Sequence, residues 1–177
     1  MNRYLTKEHI EAFLDAHLDE FDFPPAYLGN EAGVIPKEWS EDKTKWCIIG
    51  GASYLNLSGN LACGLITQMI NETTDGIAHR AFFPGSPKEI QKFEKNGIPI
   101  FSLEDKRPIW EYDIIGCSCS FPGTDFNIMK MLLMTGMDPW AKNRKEEDPI
   151  ILRGGSTFSQ IDNFIDMYDL IYMCFGS

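Results

Sequence analysis

No CxxC pair and no CxxxCxxC triplet occurs in the 177 residues, so this chain alone lacks the usual means of building a zinc ribbon or a cysteine-held iron–sulfur cluster. The dinucleotide pattern GxGxxG and the phosphate loop GxxxxGK followed by Ser or Thr are also missing. No run of eighteen apolar residues exists, which excludes a membrane-spanning helix on length. Basic residues are few: 16 Lys and Arg stand against 26 Asp and Glu, a formal charge of -10. A nucleic-acid surface depends on clustered cations that release counterions, so that class is excluded, and anionic membranes are disfavoured for the same reason. The first twenty residues carry Lys7, Glu8, Glu11, Asp15, Asp19 and Glu20, which marks an amphipathic helix and not a signal peptide. Five cysteines, mostly inside apolar runs, fit buried thiols in a reducing compartment, and a cytoplasmic location is expected.

What is present is a regular alternation of apolar segments and helical patterns. Thr6 precedes Ile10, Phe13, Leu14 and Leu18 at helical spacing, predicting a helix over residues 6–20. Pro24, Pro25, Gly29, Gly33 and Pro36 then rule out a regular element, leaving an ordered arm to Trp39. Short apolar runs at Trp46–Ile49, His79–Phe83, Asp113–Cys119, Pro149–Leu152 and Leu170–Phe175 read as five buried strands. Between them, helices are expected from Ser58 to Ile70 with Leu61, Leu65, Met69 and Ile70 inward, from Ser86 to Gly97, from Thr124 to Gly136, and from Thr157 to Met167. Ser86-Pro87 with Glu89 is a capping box carrying proline at the first helical position. The fold expected is α/β: a doubly wound, five-stranded parallel sheet, flavodoxin-like, with residues 1–40 as N-terminal helix and arm and 41–177 as the α/β domain.

A helix normally follows the last strand of such a fold, yet only Gly176 and Ser177 follow Phe175 here. Three expectations arise: the helix of residues 6–20 folds back over the exposed face, a partner covers it, or the chain is a piece of something longer.

Ligands of these sheets gather at the carboxyl ends of the strands. The loops there are built of small residues: Gly50 to Gly59, Ser118 to Thr124, and Gly154 to Phe158. Small side chains let a ligand approach backbone N–H groups at helix N-termini, and equally they make tight strand-to-helix turns. Cys117 and Cys119 fall on one face of the third strand, where core packing is expected over a two-cysteine site. Glu104, Asp105, Lys106 and Arg107 form a charged patch that either solvates a loop or meets a partner.

The run Gly97-Ile-Pro-Ile-Phe-Ser-Leu-Glu-Asp-Lys-Arg-Pro-Ile109, followed by Glu111-Tyr-Asp-Ile-Ile-Gly-Cys-Ser118, resembles the "GIPLFSLESRRPL...FDIIGFS" run in the N-terminal, cobalamin-binding-type domain of a family of radical S-adenosylmethionine (SAM) proteins. Pro25-Ala-Tyr-Leu-Gly29 is similar to that family's "PARYIG" arm and Gly154-Gly155 to its "GGP". The resemblance implies a cobalamin-binding module whose tail slot is lined by Ser118, Ser120, Gly154, Gly155 and Ser156, with Ser53 and Tyr54 from the first loop. The departures are specific. The family's "PDxYEIG" loop keeps only Tyr54, with Ala52 and Leu55 in place of carboxylates, and the DxHxxG motif that puts an imidazole on cobalt is missing. His79, His9 and His17 fall elsewhere, so cobalamin would bind without a histidine lower ligand.

The leading expectation is a cofactor-binding module, not catalytic alone, working with a radical SAM catalytic domain or subunit and holding no iron–sulfur cluster itself. The alternative is an interaction or regulatory module that keeps the fold and binds no cofactor. A hydrolase or transferase using Ser53 or Cys119 is the weakest reading, lacking a GxSxG elbow and a neighbouring histidine.

Overall fold

Five parallel strands form one sheet in the order β2-β1-β3-β4-β5, with β1 at Lys45–Ser53, β2 at Ile77–Phe83, β3 at Ile114–Ser118, β4 at Ile150–Gly154 and β5 at Leu170–Tyr172. The computed structural model describes residues 4–29, 31, 34, 36–57, 61–121, 123–155 and 163–172, with backbone only at 57 and 61. This is the expected doubly wound α/β architecture. Helices α1 (Lys7–His17), α2 (Tyr54–Leu57), α3 (Leu61–Thr73), α4 (Pro87–Asn96) and α5 (Thr124–Met134) surround it. Among the described residues no helix is long and apolar enough to cross a membrane.

Local chemistry accounts for the element ends. Ser86 caps α4, its hydroxyl accepting from the Glu89 N–H, and Gly97 closes the helix in the left-handed region at φ +68°. The expected return bond of the box goes elsewhere: the Glu89 carboxylate accepts from the Gly85 N–H at 2.7 Å instead of from Ser86. At α5 the N-cap is Gly123, not Thr124, whose hydroxyl turns back to the Phe121 carbonyl. The predicted helix over 157–167 lies largely outside the described residues, and Ile165–Met167 within it is a short 3-10 turn.

Two readings need correction. The first strand does not stop at Gly50-Gly51 but runs through them, with a register irregularity before Ser53. Gly51 is there for contact: a Cβ at that position would lie 2.5 Å from Thr124 Cγ2 and 2.7 Å from the Thr124 carbonyl. The second concerns α3, whose inward residues include Cys63 and Thr67, while Leu65 and Met69 are exposed. Asn71 holds one flank of that helix to β2, its amide bonding both backbone groups of Ala78, which leaves Leu65, Ile66 and Met69 away from the sheet.

The core fills the opposite side of the sheet. Cys47, Ile49, Ala81, Ile115, Cys117 and Ile151 from the strands meet Phe93 of α4 and Ile128, Met131 and Leu132 of α5 in a single cluster. The N-terminal helix joins this cluster through Ile10, Phe13 and Leu14, with Phe13 edge-on to Phe93 at 5.8 Å. It therefore does not fold back over β5. The charged patch also has a use that neither sequence reading named. Glu104 accepts from the backbone N–H and Nε of Arg80, Asp105 pairs with Lys7 and Arg107, and Lys106 bonds the carbonyls of Leu28 and Leu103. With the Leu103 N–H donating to the Arg80 carbonyl, the segment caps the free edge of β2 and ties helix and arm to the sheet.

Candidate functional site at the carboxyl edge

The carboxyl edge of the sheet contains two separate groups of residues. In the first, register places Ser118 of β3 between Gly50 of β1 and Gly154 of β4. The Cys119 N–H donates to the Gly154 carbonyl at 2.8 Å, and Gly155, at φ +129°, rests on the Cys119 peptide so closely that a Cβ would sit 2.2 Å from its oxygen. Ser118, Gly154 and Gly155 are thus brought together as the sequence implied, with half-buried Ser120 two residues along. Ser156 lies outside the described residues.

Beneath this edge is a buried polar network that sequence reasoning missed. Arg153 Nε donates to Asp125 Oδ1 at 2.9 Å and Nη2 to Oδ2 at 3.2 Å, while the Tyr168 hydroxyl donates to Oδ1 at 2.6 Å. Burial alone would raise the Asp125 carboxyl, but the hydrogen bonds from Arg153 and Tyr168 hold it below the usual carboxylate range. Cys119 lies 3.8 Å from the Tyr168 oxygen, and burial, then the Asp125 charge, push its thiol up to about 12. Such a thiol is a poor nucleophile near neutral pH. Cys117 is buried too, so both cysteines pack in the core. The sequence signal for the network was an arginine inside an otherwise apolar strand.

Ser53 and Tyr54 belong to the second group. Ser53 is in register with Phe83 of β2, and the chain turns there into α2. A small cavity of about 70 Å³, open to solvent on one side, lies here under the arm, with Phe23, Tyr54, Phe82 and Glu89 in its lining. Tyr54 stacks on Phe23 at 6.3 Å and meets Phe82 edge-on at 5.4 Å, and its hydroxyl donates to Glu31. Burial and then Glu31 raise that hydroxyl to about 12. Glu89, 3% exposed, accepts from the Asp22 N–H at 3.0 Å and the Tyr27 hydroxyl at 2.7 Å. The sequence hint was Phe82-Phe83 directly before Pro84-Gly85, a bulky pair at a strand end.

The His79 imidazole is not at this edge. His79 is fixed in the first half of β2, with Nδ1 2.8 Å from the Tyr112 hydroxyl and Nε2 3.1 Å from the Lys37 carbonyl. Among the described residues no group of three His, Cys, Asp or Glu side chains could hold a metal ion.

Fold and edge together define a doubly wound α/β domain with an all-parallel five-stranded sheet. Residues 63–176 match the family model of radical SAM proteins, N-terminal, and the chain belongs to that family. No curated protein and no solved structure matches it.

Proposed function

We propose that this domain is an accessory module of radical SAM chemistry that docks a catalytic unit on the bare half of its sheet. One observation carries the reading. Alternation and register put Ile114, Gly116 and Ser118 of β3, Ile150, Leu152 and Gly154 of β4, and Leu170 and Tyr172 of β5 on one face. Ile150, Leu170 and Tyr172 of this face are 47%, 56% and 65% exposed, whereas Ile115, Cys117, Ile151 and Arg153 on the other face are buried. Parallel sheets are covered on both faces, and the described residues of this face carry no charge. Burying each large side chain contributes about 1.5–3 kcal/mol, so a partner with an apolar surface is its natural cover. Membership in a family defined by an N-terminal part of radical SAM proteins supports a catalytic unit as that partner.

The test is complex formation, followed by size-exclusion chromatography, between the chain and a radical SAM catalytic protein from the same genome. Leu170→Lys with Tyr172→Asp is expected to abolish the complex while leaving the fold intact. Complex formation that ignores both substitutions rejects the reading.

The juxtaposition of Ser118, Gly154 and Gly155 favours a second reading, in which the edge carries a corrinoid. Backbone N–H groups and the Ser118 and Ser120 hydroxyls would hold its nucleotide tail; when bound, the group supplies a methyl carrier. These residues fit a tail but offer cobalt no imidazole. Titration with hydroxocobalamin followed by gel filtration tests it: retained colour supports it, and a colourless protein peak at tens of micromolar rejects it.

A further inference from the structure

The aromatic cavity under the arm has a chemistry that neither docking nor a corrinoid tail uses. Rings dominate its walls, with Phe23, Tyr54, Phe82 and Phe101 among them. Among the described residues its only ionisable acids or bases besides tyrosine are the carboxylates of Asp22 and Glu89, with no lysine, arginine or histidine in the lining. The nearby Arg80 guanidinium lies over the Phe82 ring at 5.9 Å and is matched by the two carboxylates of Glu31 and Glu104. The balance around the cavity is therefore negative.

The two acids differ. Glu89 is buried and accepts from three donors, the N–H groups of Asp22 and Gly85 and the Tyr27 hydroxyl, which fixes the arm over the cavity. The Asp22 carboxylate stands exposed at the rim with no hydrogen bond or ion pair among the described residues. Ring faces present negative electrostatic potential, and they bind a cation whose charge is spread over methyl groups because such a cation gives up little hydration on entering. A small anion would meet like charge, and a bare lysine-type ammonium would lose hydration that the satisfied Glu89 oxygens do not restore.

We infer that this cavity binds a small alkylated ammonium cation, its methylated head against Phe23 and Tyr54 and its charge facing Asp22. The cavity is small, about 70 Å³, and open at its mouth, so it admits a methylated head group while the rest of the ligand stays in solvent. The inference stands apart from the proposed docking face, since that face lies on β3, β4 and β5 while the cavity lies at the ends of β1 and β2.

The test uses choline and its neutral isostere 3,3-dimethylbutan-1-ol, titrated separately into the ¹⁵N-labelled full chain and followed by amide shifts. Choline is expected to give saturable shifts at residues 53–55 and 82–85 and to bind at least about fivefold more tightly than the alcohol. Asp22→Asn, at an exposed position, is expected to weaken choline several-fold and leave the alcohol unchanged. Tyr54→Leu is expected to remove the preference for the cation. Equal binding of the two probes, no saturable shift at tens of millimolar, or an unchanged choline affinity in Asp22→Asn overturns the inference.

Discussion

Arg153 and Asp125 face each other inside the core as a two-point ion pair, with side chains 1% and 2% exposed. Removing one member strands the other in a dry environment, whereas an apolar replacement of both leaves no orphaned charge. Asp125→Ala is expected to cost about 3–5 kcal/mol. Asp125→Leu with Arg153→Met is expected to cost less than the sum of the single changes. Urea denaturation of the four proteins checks this.

The same pair sets an acid dependence. The folded Asp125 carboxyl is held below its unfolded value, so its contribution is complete above the unfolded value and is lost as pH falls through the folded one. Stability between neutral and strongly acidic pH is expected to fall less steeply in Asp125→Asn than in the wild type. Denaturation midpoints measured across that range give the two slopes.

The buried thiols are expected to be inert. Cys47, Cys117 and Cys119 are 0–2% exposed, and burial raises each of them. Iodoacetamide at pH 8 is expected to leave all three unlabelled in the native protein and to label them in urea, as read by peptide mass spectrometry.

Two glycines make opposite predictions. Gly51→Ala drives a methyl group into the Thr124 backbone and is expected to cost about 1–3 kcal/mol. Gly64 in α3 has nothing within 4 Å of its missing Cβ, so Gly64→Ala is expected to stabilise by about 0.5–1 kcal/mol. Thermal unfolding of the two variants should move in opposite directions.

The sheet was legible because each strand is a short apolar run between turn signals, and the capping residues Ser86 and Gly97 marked α4 correctly. Glycine was ambiguous. Gly50-Gly51 resembles a strand end, but close contact with Thr124, which only the fold creates, accounts for Gly51. The inward face of α3 was misassigned because hydrophobicity was used as a proxy for burial, while Thr67 spends its hydroxyl on the Cys63 carbonyl at 2.8 Å and packs inside. The carboxyl edge was half visible: adjacency of Ser118, Gly154 and Gly155 follows from strand order, but Ser53 and Tyr54 join β2 and the arm. That pairing rests on Asp22, Phe23 and Glu89, which are distant in sequence from the strand ends.

The docking claim is tested most directly by methyl NMR on the full chain while a radical SAM catalytic protein is added. Docking on the bare face predicts that the methyl resonances of Ile150, Leu152 and Leu170 shift or broaden, while those of Ile98 and Ile100, buried on the other side of the sheet, do not. Binding that perturbs other surfaces and leaves Ile150 and Leu170 unchanged would contradict it.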